Sequence, residues 1–206
     1  MIEPLFVLKF PNKVLTDENP FDWVVSAPIK TALSSEEFKM LMQDASKRAD
    51  RIRNIHSFIR IVPSKNEEMN TLLQHIPAHL EWFVDEYLLN RKSSIGIWEL
   101  NFAVESALKF NYFTNSGQKA DYVHDLQKLY NNCLKALKID SKLLKYLPLT
   151  PIAYRYGEKV INDSHGISNI YDEVLEIIEW ALSTSKTDYS VSGDGIEMVI
   201  RNPYFH

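Results

Sequence analysis

Cysteine is almost absent from this chain: Cys133 stands alone among 206 residues. One thiol cannot close an internal disulfide, which excludes a disulfide-stapled scaffold and fits a reducing compartment. The neighbours of Cys133 are apolar, so it is expected to be buried and inert. Glycine is scarce too, at six residues, and none falls into a GxGxxG, GxxxxGK[ST] or G-x-S-x-G pattern. P-loop, Rossmann and α/β-hydrolase readings therefore lack the backbone they require. No apolar run approaches the ~20 residues of a membrane-spanning helix. The segment from Met1 to Asn12 has no basic leader and is interrupted by Lys9, so it does not read as a signal peptide. A soluble, cytoplasmic protein is the expectation. Positive charge is not in surplus either. A formal net charge of −4 argues against nucleic-acid binding by bulk charge and leaves a local cationic patch as the only route to a polyanion.

What is present is the balance of a globular chain, with 45% hydrophobic and 24% charged residues, enough to bury one sizeable core. Residues 1–33 place Pro4, Pro11, Pro20 and Pro28 around the short apolar runs Leu5 to Phe10 and Trp23 to Val25, the pattern of two short strands. At Ser34 the period changes. Ser34-Ser35-Glu36-Glu37 offers a capping box, and Phe38, Leu41, Met42, Ala45, Ala49, Ile52, Ile55 and Ile59 follow at helical spacing up to Pro63. A second helical tract covers 66–90, with Pro77 predicted to start its main part because an interior proline breaks the hydrogen-bond ladder. Helices over 95–114 and 120–138 flank Asn115-Ser116-Gly117. A short one near 140–146 precedes Pro148, and another follows Pro151. From Ser168, Tyr171, Val174, Leu175, Ile178 and Leu182 share one face of a last helix. Gly193-Asp194-Gly195 ahead of Ile196 to Ile200 marks a hairpin or a terminal strand able to pair with the N-terminal ones. The predicted fold is mainly α: an up-and-down helical bundle over 34–184, with a minor β element from segments 1–33 and 185–206.

Residues 97–113 carry two apolar arcs. Ile97, Leu100, Val104, Ala107 and Leu108 form one, Trp98, Phe102 and Phe113 the other, with Glu105 and Lys109 between them. A helix apolar on two sides belongs at the centre of a bundle, where Glu105 and Lys109 need partners. The plain account is an i,i+4 pair contributing a few tenths of a kcal/mol. On the next helix Tyr122, Leu126, Leu129, Tyr130, Cys133 and Leu137 make the apolar face. His124 and Asp125 fall in its first turn, where the helix dipole favours the Asp125 carboxylate.

Ala103-Val104-Glu105-Ser106-Ala107-Leu108-Lys109, a glycine-containing loop, and His124-Asp125-Leu126-Gln127-Lys128-Leu129 resemble the two central helices of HEPN domains. Ala153-Tyr154-Arg155-Tyr156-Gly157 looks like the Arg-Tyr element that follows them, so the resemblance covers residues 95–160. It implies an up-and-down helical bundle, commonly dimeric, in a family linked to nucleotide or RNA binding. Many members are metal-independent ribonucleases of defence or toxin systems, with an Arg and a His closely spaced after the second central helix. Here nine residues separate Arg155 from His165, a departure from that spacing, and little or no metal-independent RNA cleavage is expected. Arg51 and His56 are closely spaced but precede the central helices, and in a helix they point about 140° apart. Lys47, Arg48, Arg51, Arg53 and Arg60 make the first helix locally basic and read as a solvated face.

The candidate binding cluster is therefore Glu105, Lys109, His124, Asp125, Arg155 and Tyr156. Lys109 and Arg155 hold phosphate oxygens in this reading, and Tyr156 stacks on a base. No cofactor and no metal are expected. His75 and His79 have zinc-binding spacing, but Pro77 intervenes and only Glu81 stands near as a third ligand. The leading reading is a HEPN-like binding module for a nucleotide, RNA or a protein partner, acting as a homodimer without catalysis. One alternative is a metal-independent ribonuclease with His124 as general base or acid and Arg155 stabilising the phosphate. The other is a structural assembly protein. Convergence of the cluster in an open groove favours the first two, and burial in satisfied pairs favours the third.

Overall fold

The structure, a computed structural model, describes residues 35–61, 66–89, 93–120, 123–139, 164–186, 189–193 and 196–200. These residues are mainly helical. The helices are α1 (Ser35–Ile61), α2 (Glu67–Val84), which continues into a π-helical turn (Asp85–Leu89), α3 (Ser93–Ser116), α4 (Leu126–Leu137) and α5 (Ser164–Ser183). An antiparallel hairpin of β1 (Tyr189–Gly193) and β2 (Ile196–Ile200) follows, with Tyr189 opposite Ile200 and Gly193 opposite Ile196. The hairpin thus turns at the glycine-rich signal. The N-terminal strands, the helices expected near 140–146 and after Pro151, and any pairing of the termini lie outside the described residues.

Burial explains the order of packing. α3 touches α2, α4 and α5, and its arc of Ile97, Leu100, Val104, Ala107 and Leu108 is fully buried. Each Ile, Leu or Val of the arc contributes about 1.5–3 kcal/mol relative to exposure, and Ala107 less. α2 and α3 run antiparallel: the backbone of Gly96 lies against Phe83 and Tyr87, and further along His79 meets Glu99 and Phe102. α5 runs parallel to α1, its contacts advancing from Arg48–Asp172 to Arg51–Glu179, and parallel to α3, since Tyr171 stacks on the Phe83 of α2 that lies beside Gly96, whereas Ala181 meets Asn111 farther along α3. Ile52, Ile55 and Phe58 of α1 complete the core, with Phe58 edge-on to Phe110.

Three expectations about helix boundaries are corrected. Pro77 does not start α2; the helix runs through it from Glu67, capped by the Asn66 side chain, which accepts from the Glu68 N–H at 3.0 Å. An interior proline costs about 3 kcal/mol, and the buried face of Met69, Leu73, Ile76, Leu80 and Phe83 offsets it. α4 begins at Leu126 rather than near 120. Asp125 adopts an extended conformation, φ −81° and ψ 106°, and its carboxylate accepts from the Lys128 N–H at 2.9 Å. It is therefore the N-cap instead of a first-turn residue, because a cap satisfies an orphan N–H that a helical Asp cannot reach. The last helix starts four residues before Ser168, at Ser164.

Candidate functional site

The connection between α3 and α4 determines where the site forms. Gly117, with φ +71°, lets the chain leave α3 in a left-handed conformation that a side chain would resist. The following residues then return along α3, for Ala120 is buried and Val123 packs against the core. This path brings His124 level with Glu105, eleven residues back from Ser116, about 16 Å along the helix axis at 1.5 Å per residue.

One oxygen of Glu105 is the hub. Its Oε1 accepts from Lys109 Nζ at 2.8 Å and lies 3.0 Å from His124 Nδ1. An ionised carboxylate only accepts, so the His124 proton facing it sits on Nδ1, and Nε2 is left to face away. The exposures differ sharply: the Glu105 side chain is 12% exposed, that of Lys109 18%, and that of His124 69%. The charged pair is thus recessed, and the imidazole it orients stands out in solvent. Chemically, Nε2 can accept a hydrogen bond from a hydroxyl or N–H, or donate to a phosphate oxygen when protonated, beside the Lys109 ammonium.

Three of the six cluster residues therefore come together, and a fourth follows in sequence. Glu105, Lys109 and His124 share one contact, while Asp125 adjoins them but spends its carboxylate on the α4 cap. Arg155 and Tyr156 lie outside the described residues. His165 lies in the first turn of α5. The pairing Arg51–His56 forms no site, since Arg51 is committed to α5, 3.5 Å from Glu179 and 3.3 Å from the Asp172 carbonyl.

The reading of α1 as a solvated basic face holds for Lys47 and Arg53, which pair locally with Asp44 and Asp50. It fails for Arg48, whose side chain is 8% exposed and forks onto both Asp172 oxygens at 2.6 and 2.7 Å, with Ser168 Oγ at 2.6 Å. Burial alone lowers the pKa of Arg48, and the hydrogen bond and charge of Asp172 bring it above the ordinary value. Glu179 is raised by burial, opposed by Arg51 and reinforced by Glu176. The partners of Arg48 stand more than a hundred residues away, and no local spacing announces them.

A second polar feature sits on α2 and α3. His75 and His79 are both helical, contrary to the expectation that Pro77 displaces His75, with ring centroids 5.7 Å apart. The carboxylate that reaches His79 is Glu99, at 2.6 Å, rather than Glu81. The His75 pKa is lowered by burial and by the neighbouring His79. No group of three or more metal-ligating side chains occurs among the described residues. Cys133 is buried, 3.2 Å from the Leu108 carbonyl, and burial pushes its thiol pKa up to about 12. Among the described residues no helix is long and apolar enough to cross a membrane. No family model, curated protein or solved structure matches the chain.

Proposed function

We propose that this chain is a HEPN-like helical binding module that takes the phosphate and ribose of a nucleotide or RNA at the junction of α3 and α4. The observation that carries the reading is the outward imidazole of His124, fixed through Nδ1 to a recessed carboxylate that Lys109 also holds. A preset side chain loses little freedom on binding, and preorganisation of this kind favours a functional contact over an incidental one. A nucleotide offers both complements: hydroxyl donors for Nε2 and an anion for Lys109. The resemblance adds Arg155 as a second phosphate contact and Tyr156 as a stacking surface. It also supports a homodimer, and the single buried thiol fits a cytoplasmic location.

The second reading is a metal-independent ribonuclease, because a His oriented by a carboxylate with its second nitrogen exposed is a competent general base. Calorimetry with AMP and with a short oligoadenylate at low and moderate salt separates the readings from a structural role. Wild type binds and weakens with salt, while His124→Ala and Lys109→Gln each lose about tenfold, the scale of one charge-assisted hydrogen bond. Unchanged affinity in both variants removes the cluster from the site. Cleavage of the oligoadenylate that disappears in His124→Ala establishes the second reading.

A further inference from the structure

The C-terminal ends of α3 and α5 come together. Asn111 Nδ2 on α3 donates to the Ala181 carbonyl at 2.8 Å and to Thr184 Oγ1 at 2.9 Å, and Asn115 Nδ2, one turn on, donates to the Thr184 carbonyl at 3.1 Å. Both amide heads therefore lie against the end of α5. Their nitrogens face carbonyls, which fixes the orientation of each amide, because a flip would set oxygen against oxygen. Each Oδ1 is bonded to the same carbon as its nitrogen and so stands at the same junction. Both oxygens are buried without a donor among the described residues, and Asn111 as a whole is 0% exposed.

The hydroxyl donors beside them are spent. Thr184 Oγ1 donates to the Trp180 carbonyl, Ser185 Oγ to that of Ala181, Thr114 Oγ1 to that of Asn111 and Ser116 Oγ to that of Tyr112, at 2.6–3.0 Å. What remains is a surplus of lone pairs, placed where the negative ends of two helix dipoles meet. Buried acceptors require a partner, and helix C-termini with neutral oxygens suit a cation. The charged groups near in sequence are committed or face water: Lys109 pairs with Glu105, Lys119 with Glu68 and Glu179 with Arg51, and Lys186 is exposed. Without a carboxylate among these oxygens, the dehydration of a divalent ion is not offset. Carbonyl oxygens do replace the looser shell of a monovalent one.

We propose that the junction of the α3 and α5 C-termini binds a monovalent metal cation, K+ or Na+, through Asn111 Oδ1 and Asn115 Oδ1. The ion fixes the end of α3 from which the connection to His124 departs. Its site is separate from the Glu105–Lys109–His124 cluster and does not depend on whether that cluster takes a nucleotide.

The test compares thermal unfolding of the full chain in potassium, sodium and choline chloride at equal ionic strength, so that screening is the same in all three. Potassium or sodium raises the midpoint over choline by about 3–6 °C at about 100 mM, the shift that a site of about 10 mM affinity gives a chain of this size. Asn115→Ala removes the difference between salts, His124→Ala keeps it, and far-ultraviolet circular dichroism confirms that both variants fold. Sodium-23 NMR reads the wild type directly: the line broadens with protein and narrows again as potassium is added. Equal midpoints in the three salts mean that water or a basic side chain of the chain itself serves the acceptors, and overturn the proposal. A difference between salts that persists undiminished in Asn115→Ala places the ion elsewhere and likewise overturns it, as does a sodium line that the protein leaves unchanged.

Discussion

Arg48 is the one charged residue that is buried among those described, and its energetics follow from what surrounds it. The guanidinium sits between α1 and α5 with its fork filled by Asp172 and Ser168. Removing the carboxylate leaves a desolvated cation without its counterion, a change that costs about 3–5 kcal/mol when both partners are buried. Asp172 is 46% exposed, so water recovers part of that. Asp172→Ala is expected to destabilise by about 2–3 kcal/mol, read as a lower urea midpoint at unchanged slope. A shift under half a kcal/mol would show that the pair is a surface ornament. Glu179 supplies the pH counterpart. Burial raises its folded pKa above the unfolded value, so the folded state holds the proton more tightly. Its contribution to stability is most favourable below the unfolded pKa, about 4.3, and declines as pH rises through the raised folded value. Glu179→Gln removes that decline, and the difference in urea midpoint between variant and wild type grows in the variant's favour across this window. A difference independent of pH contradicts the assignment.

Helices were legible where a face repeats, and misread where a single residue decides. The period of Tyr171, Val174, Leu175, Ile178 and Leu182 predicts the buried face of α5, and all five are buried. The two arcs of α3 likewise predict its central place, because a helix apolar on two sides has no other stable position. Pro77 was misread as a start because its local penalty is visible in sequence, whereas the tertiary burial that outweighs it is not. A test follows: Pro77→Ala restores an N–H to the helix and removes the ring clash, while losing some restriction of the unfolded chain. A net gain of about 1–2 kcal/mol is expected, measured as a raised midpoint. A loss would contradict a helix that is continuous from Glu67 to Val84. Position 96 carries the opposite expectation. A Cβ there lies 3.0 Å from Phe83 Cδ2 and 3.4 Å from Tyr87 Cβ. Overpacking of about 1–3 kcal/mol outweighs the ~1 kcal/mol of helix propensity gained. Gly96→Ala should therefore destabilise, which thermal unfolding checks.

At the scale of the molecule, the candidate site exists because one connection folds back on itself. The i,i+4 spacing of Glu105 and Lys109 was readable as an ion pair, and the pair is there at 2.8 Å. That His124 joins the same oxygen depends on Ala120 and Val123 lying back against the core beyond Gly117. A segment without helical or strand period carries no sequence signal for that path. The acidity of the whole chain makes the local arrangement decisive: charges more than about 8–10 Å away are largely screened in physiological salt, so a ligand here meets chiefly Lys109, His124 and the neighbouring carboxylates of Glu105 and Asp125. The most direct test follows the histidine rings themselves. In a proton–nitrogen NMR spectrum of the six histidines, titration with AMP should shift the His124 Nε2 resonance progressively and saturably, leave His79 in place, and lose the His124 response in Glu105→Gln, where the orienting carboxylate is gone. A spectrum in which His124 stays fixed while AMP binds, or in which other histidines carry the response, would contradict the account.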